Sequence, residues 1–238
     1  HEVGRCGGES LERAMTTSMD TLIGRMIDGV QRLDPNTIVI YIGDNGTPMY
    51  GRPNLDFIDN LYITRKGRGK GTVYESGARV PFAIRGPGIV ARRESAEYVH
   101  AADLFPTILT LAGLSVPQRV PTGDGASTQD VDGKSLAPIL RGKAKTVRDR
   151  DQGYVLTESL NLMTNSTRQV GARNARYKVI CTEKVSNEAC EFYDLVADPI
   201  EEYPLPEPSS CEASAKRRDP AWHYCRLSGL IRTESFFA

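Results

Sequence analysis

Thr37-Ile38-Val39-Ile40-Tyr41-Ile42 runs into Gly43-Asp44-Asn45-Gly46, an apolar, β-branched run stopped by a polar turn. A run without alternation predicts a strand buried on both faces, as in a parallel sheet between helices. Upstream, Leu11, Met15, Met19, Leu22, Ile23, Met26, Ile27, Val30 and Leu33 recur at helical spacing. Ser10 is placed to cap that helix and Asp34-Pro35 to end it. The stripe predicts a helix packed on the sheet. Helix, short turn, buried strand and polar turn make an α/β arrangement, whose functional groups sit where the chain leaves the strands. Residues 43–47 lie at such a point.

Downstream, residues 48–72 form a polar, glycine-rich loop, and Val80–Arg85 is a second short strand closed by Gly86-Pro87-Gly88. Leu104–Gly113 reads as a short helix with Pro106 in its first turn and Gly113 at its end. Residues 114–135 read as a loop. After Gly142 the texture changes. Tyr154–Ser159, Arg168–Ala172, Tyr177–Thr182 and Glu191–Leu195 predict a small antiparallel sheet. A proline-punctuated linker, Glu201–Pro208, and a helix around 213–232 complete the chain. The expected division is 1–148 as part of a main α/β domain and 149–238 as a small α+β subdomain.

Hydrophobic residues make up 39% and charged residues 25% of the 238, an ordinary globular balance. The 30 basic and 30 acidic residues cancel. A general affinity for nucleic acid or anionic membrane is therefore not expected, and anion binding must come from a local patch. No apolar run approaches the ~20 residues of a membrane helix. Of the five cysteines, Cys181 and Cys190 are placed to face each other across a hairpin, and Cys211 and Cys225 to close a loop. That pairing suits an oxidising compartment, secreted, periplasmic or lysosomal; the other reading is five free thiols in a cytosolic protein.

Asp44 and Asn45 offer a carboxylate and an amide oxygen at a strand end, hard donors suited to calcium or magnesium. An ordinary Asx turn explains the same residues. Arg65-Lys66-Gly67-Arg68-Gly69-Lys70-Gly71-Thr72 interleaves cations with glycines, which let backbone approach an anion. A nucleotide loop needs Ser or Thr directly after the lysine, and Gly71 intervenes. A solvated basic loop or a weak polyanion patch is the plainer reading.

Taken in order, Gly43-Asp44-Asn45-Gly46, Lys70-Gly71-Thr72-Val73-Tyr74-Glu75-Ser76-Gly77-Ala78-Arg79-Val80-Pro81, Gly86-Pro87-Gly88, Asp103-Leu104-Phe105-Pro106-Thr107, Leu111-Ala112-Gly113 and Val131-Asp132-Gly133-Lys134-Ser135-Leu136 resemble the C-terminal half of the sulfatase family. Arg176–Ile180 and Phe192–Leu195 with Asp198-Pro199 resemble its last sheet. The resemblance spans about residues 14–205. It implies the C-terminal part of an alkaline-phosphatase-like α/β sandwich, followed by a four-stranded antiparallel sheet and a C-terminal helix. It also implies a hydrolase of sulfuric esters, in which a formylglycine attacks sulfur and Ca2+ binds the sulfate. By that resemblance Asp44 and Asn45 are half of the calcium ligands, and Lys70 is the catalytic, sulfate-contacting lysine.

Two departures stand out. Ser76 replaces a glycine of the family's Glu-Gly-Gly, which puts the backbone's freedom to take φ > 0 in question. No Cys-x-Pro-x-Arg or Ser-x-Pro-x-Arg motif occurs, and Cys6 lacks that context. The family's nucleophile-bearing N-terminal half would precede residue 1, so this chain alone is expected to be inactive and to partner with that half and a sulfate-ester substrate. The alternatives are a non-catalytic polyanion-binding protein, and a phosphatase or phosphonate hydrolase of the same superfamily. Those hydrolases commonly carry Asp-His where Asp44-Asn45 stands. His100 is expected to cap or pack near a helix start. Asn165-Ser166-Thr167 and Asn45-Gly46-Thr47 are glycosylation sequons, the second expected to stay unmodified.

Overall fold

A computed structural model describes residues 8–46, 68–161, 167–183, 188–211 and 216–234. Cys6, His1, Arg65, Lys66 and the Asn165-Ser166 part of the first-named sequon lie outside them.

Helix α1 (Gly8–Leu33) begins two residues before Ser10, so Ser10 is not its cap. It ends as read, with Asp34 N bonded to Val30 O at 2.9 Å and Asn36 N to Asp34 Oδ1 at 2.8 Å. Among the described residues its apolar stripe is not packed on a sheet. Met15, Leu22 and Met26 are 63%, 60% and 61% exposed. Strand β1 (Val39–Ile42) forms where the apolar run stands. It pairs antiparallel with β2 (Phe82–Arg85), Ile40 opposite Ile84, in a two-stranded ribbon, with Ile42 exposed. The expectations of a parallel neighbour and full burial are thereby corrected. An apolar run records which faces favour burial; it carries no information on the direction of the hydrogen-bonded neighbour.

Between the two strands lies the short helix α2 (Glu75–Ala78). After β2, a 3-10 turn (Ala101–Asp103) leads into α3 (Leu104–Leu111), with Gly113 at φ +76° just beyond its end. His100 is the cap expected: its Nδ1 accepts from Ala102 N at 3.1 Å, while Asp103 Oδ2 accepts from His100 N at 2.8 Å. Asp103 is fully buried and takes two bonds from Arg148, at 2.9 and 2.6 Å, and one from Lys134 N at 2.7 Å. The 114–135 loop contains a small hairpin, β3 (Arg119–Pro121) with β4 (Thr128–Asp130), and α4 (Ala137–Leu140) follows it. Neither was read from the sequence.

The small sheet is as expected: β5 (Val155–Asn161), β6 (Thr167–Arg173), β7 (Tyr177–Glu183) and β8 (Glu188–Asp194) form an antiparallel meander. The last helix, α5 (Pro220–Glu234), starts later than predicted. Alternation gives the sheet two jobs. Val170, Ala172, Tyr177, Val179 and Phe192 face Tyr224, Leu227 and Ile231 of α5. Ile180 and Tyr193 face the other way, onto Val73 and Tyr74 of the loop before α2. Gly171 lets that loop come close, since a Cβ there would already touch Val73 at 3.4 Å. β7 is therefore buried on both faces, Tyr177 to Cys181. Residues 201–208 are more than a linker. Leu205 N bonds to Phe192 O at 2.7 Å, and Glu201 is 1% exposed. No helix of the described residues is long and apolar enough to cross a membrane.

Candidate active-site cleft

Past β1 the chain turns through Gly43-Asp44-Asn45-Gly46, held by Gly43 N to Pro81 O and Gly46 N to Gly77 O, both 2.9 Å. Gly46 approaches α2 so closely that a Cβ would collide with the Ser76 carbonyl. Glycine is required there by contact. Asp44 is exposed and Asn45 half-buried, with Asn45 Nδ2 donating to Asp44 Oδ2 at 2.6 Å.

Lys70 sits on a second turn. Thr72 N donates to Gly69 O at 3.1 Å, Thr72 Oγ1 donates to the same carbonyl at 2.7 Å, and Gly71 takes φ +86°. A left-handed third residue is what a type II turn demands, which accounts for glycine at that position. Lys70 is exposed at the turn's second position. Gly77 lies beneath, where a Cβ would collide with the Thr72 and Gly69 carbonyls. One residue thus serves both turns: its carbonyl holds the Asp44-Asn45 turn, and its bare Cα supports the Lys70 turn. Asp44, Asn45, Gly71 and Thr72 line one cleft of about 1200 Å³. Lys70 adjoins this cleft through Gly71. Across it, Ser159 of β5 donates its hydroxyl to Gly71 O at 2.5 Å.

Ser76 does not strain the loop. It is helical, is absent from the residues of positive φ, and donates its hydroxyl to the Arg68 carbonyl. Arg68 overturns the picture of a uniformly solvated basic loop. It is 8% exposed, its guanidinium lies 4.3 Å from the Tyr74 ring centroid, and it donates to the Glu201 carbonyl and to Tyr193 OH at 3.0 Å.

A buried ionic cluster adjoins the Lys70 turn, and its Glu75, Arg173 and Lys178 line the same cleft. Lys178 Nζ lies 3.0 Å from Glu75 Oε1 and 2.8 Å from Glu201 Oε1. Arg173 Nη1 is 2.9 Å from Glu75 Oε2, and Glu75 N donates to Glu201 Oε2 at 2.7 Å. Burial pushes both carboxyls up. For Glu75 the opposing pull of Lys178 and Arg173 wins, and its pKa falls below the usual carboxylate value. Glu201 shares only Lys178, so burial prevails and its pKa is raised. Sequence reasoning assigned no role to this cluster. Its signals were a lysine amid the apolar residues of a predicted strand and an acid in a proline-rich segment.

The Asp44 carboxylate and the Asn45 amide oxygen are hard donors of the kind calcium takes, while the contact between the two side chains runs through Asn45 Nδ2 and not its oxygen. Among the described residues no group of three or more His, Cys, Asp or Glu side chains assembles around a metal position. Calcium takes six to eight oxygens, so further donors are required.

The family model described as Sulfatase matches residues 13–114. That described as N-sulphoglucosamine sulphohydrolase, C-terminal, matches residues 68–216, more than half of the chain. The chain belongs to the sulfatase family. This sulfatase chain is 26% identical over 193 residues to arylsulfatase K of Canis lupus familiaris, covering 79% of itself and 31% of that protein. It is 27% identical over 205 residues to a sulfatase of Formosa agariphila, covering 78% of itself and 33% of that protein. The solved structure of a 2-O GAG sulfatase matches with a TM-score of 0.55 and 26% identity, over 84% of this chain and 37% of that one. The fold is thus that of the sulfatases, alkaline-phosphatase-like. The chain spans about a third of the length of the curated relatives it matches.

Proposed function

We propose that this chain contributes to the active site of a sulfuric ester hydrolase, with Lys70 as the sulfate-contacting group and Asp44 and Asn45 as calcium ligands. The observation that carries the reading is the convergence of the Asp44-Asn45 and Lys70 turns on Gly77 beside one cleft. A sulfate ester carries one negative charge, and more builds on the leaving oxygen as the S–O bond breaks. An ammonium held at a fixed distance stabilises that charge without reorganising. Lys70, exposed on a rigid turn, is suited to it. When bound, calcium would supply positive charge to the sulfate oxygens; Asp44 and Asn45 would hold it and set its place relative to Lys70. The formylglycine nucleophile would come from sequence outside these 238 residues, whose own sequence holds no such motif.

The polyanion-binding reading loses support from Arg68, whose guanidinium is turned into the protein and engaged there. The two disulfides and the family's extracellular relatives, such as the Drosophila melanogaster extracellular sulfatase SULF-1 homolog, support a secreted, periplasmic or lysosomal setting.

Lys70→Ala in the intact protein tests the reading. Hydrolysis of an aryl sulfate should fall on the order of a hundredfold, while the unfolding midpoint stays nearly constant. Lys143→Ala, at another exposed cation, should leave activity unchanged. Unchanged hydrolysis with a salt-sensitive loss of binding to a sulfated polyanion in Lys70→Ala would instead favour the polyanion reading.

A further inference from the structure

The Lys70 turn precedes α2 in a stretch with little regular structure, yet the residues around it are deeply buried: Val73 0%, Glu75 5%, Ser76 5% and Arg68 8% exposed. Apolar contact explains Val73 and Tyr74, which pack on Ile180 and Tyr193. It does not explain the ions. Lys178, Glu75 and Glu201 have side chains 2%, 6% and 1% exposed; Lys178 ion-pairs with both carboxylates and Glu75 N donates to Glu201 Oε2. A buried ion set of this kind gains little stability over apolar residues of the same volume, because desolvation offsets the attraction. Its product is directional contact. The set grips the Lys70 turn from both sides: Arg68, two residues before Lys70, donates to the Glu201 carbonyl, and Glu75, five residues after it, meets Lys178 and Arg173.

A second, independent observation concerns Glu201. It is a non-glycine residue with a left-handed φ of +57°, a conformation that costs free energy and persists where surroundings over-determine it. Here the backbone carbonyl of Glu201 serves Arg68 while its carboxylate serves Lys178 and Glu75 N.

We infer that Lys178, Glu75 and Glu201 are positioning residues for Lys70, fixing its turn at the edge of the cleft so that its ammonium meets the sulfate. Lys178 lies in the cleft wall with its side chain only 2% exposed and its ammonium turned onto Glu75 and Glu201. The small sheet therefore serves the reaction through β7 while its other face holds α5. This inference rests on the reading of Lys70 given above.

The test is a double-mutant cycle in the intact protein, with kcat and KM measured on an aryl sulfate for Lys178→Met, Lys70→Ala and the pair. Lys178→Met should lower kcat on the order of tenfold or more with KM little changed, since a displaced turn misplaces the ammonium. In the Lys70→Ala background the same change should cost less than about twofold, because its action runs through Lys70. The same loss in both backgrounds, or no loss in either, overturns the positioning role. If Lys70→Ala alone has no effect, the reading of Lys70 fails first and this role with it. Should Lys178→Met not fold, Glu201→Gln keeps the shape and an acceptor for Glu75 N. It goes through the same cycle, where a loss confined to the Lys70 background supports the role and an equal loss in both backgrounds, or none, overturns it.

Discussion

Asp44 brings the only carboxylate of the proposed calcium pair, so its loss removes a donor and a charge together. Calcium should raise the unfolding midpoint of the intact wild-type protein and leave that of Asp44→Ala unmoved, because a ligand stabilises only the state it binds. An equal calcium-dependent shift in both proteins, read by differential scanning fluorimetry, would remove Asp44 from the site. Asp44, Asn45 and Lys70 stood out as candidates in the sequence because each sits beside a glycine in a polar turn; that Gly46 is required by its contact with α2 was not readable there. Nor was the rest of the site. Arg68 lies in the same run of cations as Lys70, and only the third dimension turns one inward and leaves the other out. Glu201 reads as linker because its partners, Arg68, Glu75 and Lys178, are far away in the chain.

Among the elements, α5 docks on the sheet partly through His223, which is 3% exposed. Asn174 Oδ1 accepts from the Arg176 and Tyr177 amides at 2.9 and 2.8 Å, so its Nδ2 faces His223 Nδ1 at 2.9 Å. Nδ1 must then be the acceptor, and Nε2–H donates to Arg217 O at 2.9 Å. Burial lowers the His223 pKa, and Arg176 and Arg226 lower it further, against the pull of Asp151 and the Arg217 carbonyl. Its folded value lies below its unfolded one, so its contribution is complete above about pH 6.5 and is lost as pH falls through the folded value. The unfolding midpoint should therefore drop between pH 7.5 and 5, and His223→Gln should flatten that drop; an unchanged slope in the variant would refute it. Glu75, whose pKa is also lowered, acts in a separate window: its contribution fades only below about pH 4.5. The strands of this sheet were legible because alternation is local. What covers a face was not, as the open stripe of α1 illustrates: periodicity fixes a helix without naming its neighbour.

For the molecule as a whole, the cross-links pair the cysteines as read, one across a hairpin and one closing a loop. Cys181 and Cys190 are register partners across β7 and β8, 4.0 Å apart at Cα, and Cys211–Cys225 ties the segment before α5 to that helix. Loops closed over sequence separations of 9 and 14 should each be worth about 2–3 kcal/mol. Non-reducing peptide mapping should recover both linked peptide pairs, and reduction should lower the unfolding midpoint; quantitative alkylation of native protein at these four positions would contradict the pairing. The division near residue 148 remains our proposal from sequence texture. Across it the parts are stitched closely, Tyr98 OH to the Asp149 carbonyl and Lys178 to Glu75.

In genetic terms, codon 77 has no conservative allele. Every other amino acid brings a Cβ, and at Gly77 that atom would strike the Thr72 and Gly69 carbonyls while the residue's own carbonyl still held Gly46. Severity scales that rank glycine-to-alanine as benign would misgrade such a variant, since the mildest missense change parts the lysine's turn from the carboxylate's. Codon 71 differs. Space is open there and only the left-handed φ resists a side chain, a cost of roughly 1–2 kcal/mol, which asparagine tolerates best.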